Sequence, residues 1–78
     1  MALLVENQRA RRAEETIARL SREREELDRS FAALNGSAVA GAALTDALKR
    51  RAEVVRLISR AEAEWLSTEE AIERESGA

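Results

Sequence analysis

Asn35-Gly36-Ser37-Ala38-Val39-Ala40-Gly41 is the stretch whose reading decides the fold, because it is the only break between two long segments that each carry helical periodicity. Asn and Gly tolerate positive φ, Gly36 suits the position just past a helix end, and Gly41 adds a second weak point. Two helices joined here fold back on each other. The expected architecture is all-α, a two-helix antiparallel coiled-coil hairpin forming a single unit over 1–78. Its expected parts are helix 1 over about 3–35, a turn over about 36–42 and helix 2 over about 43–74.

On the N-terminal side the apolar ladder runs Leu3, Ala10, Ala13, Ile17, Leu20, Arg24, Leu27, Phe31 and Leu34, with Glu6 and Arg24 interrupting it. From Ala10 on, its spacing alternates three and four, which keeps one stripe on one partner. Charges such as Ser21-Arg22-Glu23-Arg24-Glu25-Glu26 fill the intervals and keep the outer face in water. On the C-terminal side, Ser37 or Thr45 is the expected N-cap, the second with Asp46 in the first turn, and the ordered helix is expected to start within 42–46. The ladder there reads Leu44, Leu48, Arg51, Val55, Ile58, Glu62, Trp65, Glu69 and Ile72, widened by Ala47, Val54 and Ala61. Beyond Ile72 no large apolar residue anchors the chain, so its end is expected to fray.

An antiparallel fold places at one height residues whose numbers add to roughly 78. That pairs Leu20 with Ile58, Ile17 with Ala61, Ala13 with Trp65, and Arg24 with Val54; the largest side chain meets one of the smallest. The basic Arg9-Ala10-Arg11-Arg12 falls level with Glu64, Glu69 and Glu70. The expected core and interface residues are Ile17, Leu20, Leu27, Phe31, Leu34, Leu44, Leu48, Val55, Ile58, Trp65 and Ile72.

At 78 residues one core is only marginally sufficient, so a partner is expected. Either two hairpins associate as a homo-oligomeric four-helix bundle, or the hairpin docks on a larger protein. With 36% charged residues, no Pro, and Phe31 and Trp65 as the only aromatics, the composition is that of a coiled coil. A net charge of -2 supplies no global field toward nucleic acid, which leaves such binding to a local patch. Ala2-Leu3-Leu4-Val5 is too short for a signal core or a membrane span, and a cytoplasmic protein without a membrane partner is expected.

The absence of Cys and His removes disulfides, thiolate metal sites and the commonest general base. Gly36, Gly41 and Gly77 make no phosphate-cradling loop, and adjacent carboxylates such as Glu14-Glu15 and Glu69-Glu70 point about 100° apart on a helix. No enzyme, cofactor, metal or small-molecule substrate is expected. Lys49-Arg50-Arg51 with Arg56 lies near the turn, across from Arg22, Arg24 and Arg29. This cluster forms either a phosphate-binding tip or a mixed-charge surface neutralised by Glu23, Glu25, Glu26, Asp28 and Glu53. Arg24 and Arg51, at seam positions, either snorkel or fix register. Trp65 fills the core or marks an interaction site, and in either role its indole N–H needs a partner.

Ile17, Leu20, Leu27 and Phe31 on the first helix, then Leu48, Ile58 and the segment Ala61-Glu62-Ala63-Glu64-Trp65-Leu66-Ser67-Thr68-Glu69-Glu70, resemble the C-terminal coiled-coil hairpin of ABC-F ATPases, especially the Uup-like branch. The resemblance covers roughly residues 13–73. It implies an accessory module that contacts DNA or ribosomal RNA. Together with the basic cluster it makes Arg22, Arg29, Lys49, Arg50 and Arg56 the expected nucleic-acid-binding residues. The alternative is a structural module that self-associates through its apolar stripes.

Overall fold

The computed structural model describes residues 2–34 and 41–77, with side chains from 3–33 and 41–77. All of them are helical. Helix α1, Ala2–Leu34, packs along α2, Gly41–Gly77, in a rod of 60 × 15 × 14 Å. The chain is an all-α helical hairpin. Most of the expected turn, the Ser37 cap and the Leu34 side chain lie outside the described residues, but residues 41 and 42 already belong to α2.

Thr45 is therefore not the N-cap. It sits one turn inside α2, where its hydroxyl donates to the Gly41 carbonyl at 3.3 Å, a back-bond open to a helical Thr. At the other end α2 continues to Gly77. Arg74 in its last turn favourably opposes the negative end of the helix dipole.

Among the described residues, four polar contacts cross between the helices: Arg9 with Glu64, Glu14 with Trp65, Glu23 with Arg50, and Asp28 with Arg51. Facing residue numbers thus add to between 73 and 79, within about five residues of the expected register from Arg9 and Glu64 to Asp28 and Arg51.

Among the described residues, the buried apolar ones are Ala10, Ala13, Leu20, Val54, Ile58 and Ala61. Leu20, Val54 and Ile58 form the centre, with Leu27 and Leu57 packed against them. Ile17, Phe31, Leu44, Trp65 and Ile72 are half-buried along the seam.

Two expected core residues are corrected: Leu48 is 52% exposed and Val55 37% exposed, whereas Val54 is 0% exposed. The seam of α2 follows residues 44, 47, 51, 54, 58, 61, 65, 68 and 72. One of its two heptad positions lies one residue before the expected ladder. The reason is the cost of burying charge. A ladder through Leu48 and Val55 continues through Glu62 and Glu69, so it would desolvate two carboxylates, whereas the observed one carries Ala61 and Thr68 there.

Thr68, 1% exposed, is tolerated because its hydroxyl donates to the Glu64 carbonyl at 2.8 Å. Small side chains at Ala10, Ala13, Ala47, Ala61 and Thr68 let the helices approach closely, at the expense of buried apolar area.

Candidate functional site

The expected basic patch is built from positions on both helices, and the seam decides how they are shared out. Arg22 and Arg29, seven residues apart, lie on the edge of α1 farthest from the seam; Lys49 and Arg56 occupy the corresponding edge of α2. The hairpin separates these two pairs onto opposite edges. Arg50 flanks the seam instead and donates to both carboxylate oxygens of Glu23, from Nη2 to Oε1 at 2.8 Å.

Arg51 leaves its seam position by the same route, with Nε donating to Asp28 Oδ1 at 2.6 Å. Its stem stays half-buried and its head reaches the surface. Arg56 pairs along its own helix with Glu53 at 3.3 Å. Arg22, Arg29 and Lys49 are exposed and make no ion pair with a described residue.

The Arg50 guanidinium holds the Glu23 carboxyl below the ordinary 4.5, and Arg51 holds Asp28 below the ordinary 3.8. In each case the hydrogen bond is the larger cause and charge attraction adds to it. As pH falls, the unfolded chain therefore takes up protons before the folded one. Stability from these pairs is complete above the ordinary carboxyl values and drains away as pH drops through the depressed ones. The thermal midpoint should fall on acidification below about pH 4.5 more steeply for the unmodified chain than for the double variant Glu23→Gln with Asp28→Asn. Parallel melting curves across that window would show that the pairs contribute nothing.

Two open grooves flank the seam on opposite faces. One is lined by Arg9, Arg12, Arg19, Leu57, Arg60 and Glu64, among others, and Arg9 there donates to Glu64 at 2.7 Å. The other is lined by Glu14, Ile17, Ala18, Glu62, Trp65 and Leu66 and is predominantly apolar. Trp65 forms its wall, and the indole Nε1–H donates to Glu14 Oε1 at 3.0 Å.

The apolar groove opens onto a longer stripe. Leu48, Val55 and Leu66 are 52%, 37% and 53% exposed, and spacings of seven and eleven residues keep them within about 20° of one line on α2. Leu66 is absent from the expected interface residues because it falls off the seam ladder. Its eleven-residue spacing from Val55 was the available signal. Ala52 continues the stripe on α2, and Ala18 faces it from α1.

The whole hairpin exposes 5793 Å², about 1,100 Å² more than the roughly 4,700 Å² expected for a compact 8.6 kDa monomer. A standard protein interface covers about 800 Å² per partner. Among the described residues, no cluster of acidic side chains is placed to hold a metal ion, and no helix is long and apolar enough to cross a membrane. Compared with protein-family models, with curated proteins and with solved structures, the chain matches none.

Proposed function

We propose that this chain is a non-catalytic helical interaction module that self-associates, two hairpins closing into a four-helix bundle. The observation that carries the reading is the exposed apolar stripe Leu48, Val55 and Leu66 running into the Trp65 groove. Isolated exposed apolar residues are ordinary on a protein surface, but three large ones on one side of α2, with Glu62 between Val55 and Leu66, beside a half-buried Trp fit an interface with a charged residue within it. The thin seam points the same way, since a core dominated by Ala and one Thr leaves little burial within the hairpin. Association in a cytoplasmic setting would supply the rest.

Sedimentation equilibrium over a wide concentration range tests this. A monomer–dimer equilibrium is expected, accompanied by a blue shift in the emission of Trp65, the only tryptophan. A strictly monomeric, stably folded hairpin at high concentration removes the proposal.

A second reading, contact with DNA or ribosomal RNA as the ABC-F resemblance implies, draws on Arg22, Arg29 and Lys49 being exposed and outside ion pairs with described residues. Binding through several phosphates should weaken steeply with salt. It should also weaken in a variant with Arg22, Arg29 and Lys49 changed to Glu. Absence of binding to duplex DNA and structured RNA at low salt would end this reading.

A further inference from the structure

Self-association leaves open which way the two copies run, and the charges beside the apolar stripe discriminate between the two twofold arrangements. In one, the axis lies along the helices, and α1 of each copy covers the partner's α2 at the same height. Using the register of the hairpin, Arg22 would then meet the partner's Arg56, Arg29 the partner's Lys49, and Glu14 the partner's Glu62. Every one of these is a meeting of like charges, and each occurs twice.

In the other arrangement the axis crosses the helices, so that α1 covers the partner's α1 in the reverse direction and α2 covers the partner's α2. Along α1 the Trp65 face carries Leu4, Arg11, Ala18, Glu25 and Ala32, with Glu15 and Arg22 at its outer rim. Reversed about Ala18, it sets Arg11 level with the partner's Glu25 and Arg22 level with the partner's Glu14, beside Glu15. On α2, reversal about Ser59 seats the partner's Leu66 in the hollow between Leu48, Ala52 and Val55, and sets Lys49 level with the partner's Glu69, beside Glu70. Ala18 and Ser59 stand level within the hairpin, so one axis satisfies both helices at once. Both are small and exposed, which permits close approach where the copies cross.

We infer that two copies of this chain stack on the Trp65 face as an antiparallel dimer, with the twofold axis passing beside Ala18 and Ser59. Resting on the self-association proposed above, this adds its geometry: the stripe's occupant is a second copy, held in one direction by opposite charges. Arg11, Glu15, Arg22, Glu25, Lys49 and Glu70 make no ion pair with a described residue of their own hairpin, which leaves them available for the pairing. Repulsion in the parallel alternative selects the direction as strongly as attraction does in the antiparallel one.

Because the chain has no cysteine, a single introduced thiol reports self-proximity directly. Ala18→Cys and Ala32→Cys, both at exposed sites, are oxidised with copper phenanthroline at a concentration where sedimentation gives dimer. Most of the Ala18→Cys chain should become disulfide-linked, and the Ala32→Cys chain should not, because its counterpart lies at the far end of the dimer. Glu25→Arg should weaken the dimer about tenfold, and adding Arg11→Glu should restore it, since the swapped charges again face each other across the axis.

A dimer in which Ala18→Cys fails to link, or Ala32→Cys links equally well, overturns the antiparallel arrangement and leaves self-association standing. A chain that stays monomeric at every concentration overturns both.

Discussion

Replacing Leu20 by Ala should leave the chain without a cooperative thermal transition. Leu20 is 2% exposed and packs against Val54 and Ile58, with Leu27 and Leu57 around them, in the cluster of large buried side chains among the described residues. A buried Leu→Ala change costs about 2–5 kcal/mol, because the lost contacts add to the cavity left behind. The net stability of a chain this size is only roughly 4–12 kcal/mol, and this seam has Ala or Thr at many of its positions. The change thus removes much of what holds the helices together, and isolated helices of this length are only partly formed in water. Far-ultraviolet circular dichroism during heating is the measurement, with Leu48→Ala as comparison under dilute conditions. Leu48 is half-exposed, so its truncation should shift the midpoint little. If the two variants melt alike, the seam has been misplaced.

The second large effect is expected at Leu66, on association instead of folding. Leu66→Asp should leave the dilute hairpin as helical as before, because the side chain is 53% exposed and outside the core cluster. It should raise the dimer dissociation constant by at least about a hundredfold. Burying one Leu side chain is worth about 1.5–3 kcal/mol, a twofold axis doubles the loss, and each factor of ten requires about 1.4 kcal/mol. The carboxylate also enters an apolar hollow without a donor, which adds its desolvation. An unchanged sedimentation profile would show that the stripe is not the interface.

These two residues mark how far the sequence could be read. Leu20 was legible because it lies on a ladder that alternates three and four through Ala13, Ile17, Leu27 and Phe31, and only one phase of α1 collects those residues. On α2 the apolar stripe is wider, with Ala47 beside Leu48 and Val54 beside Val55, so two phases compete. Hydrophobicity favoured the phase with the larger side chains. The fold took the other, which leaves Glu62 exposed and Glu69 half-buried beside the seam instead of in it, and places Val54 against Leu20. Those two acids were the signal that could have decided it.

The basic cluster was legible as a set of residues but not as a surface. Whether Arg50 is available depends on Glu23, twenty-seven residues away in the chain. Whether Arg22 and Lys49 form one patch depends on which edge of the hairpin each occupies. Such facts depend on register across the seam, and charge counts carry none of it.

What the sequence by itself determined is the all-α class, the hairpin and the approximate register. Each rests on local properties: 3.6-residue periodicity, a single break, and the complementarity of large with small side chains across it. Only the tertiary structure decided which side of α2 faces α1. That choice separates Leu48, Val55 and Leu66 from the core and turns them outward with the Trp65 groove. The reason is that one stripe can be buried against one helix, and when a chain offers two, the one that avoids desolvating charge goes inside. The other stays at the surface.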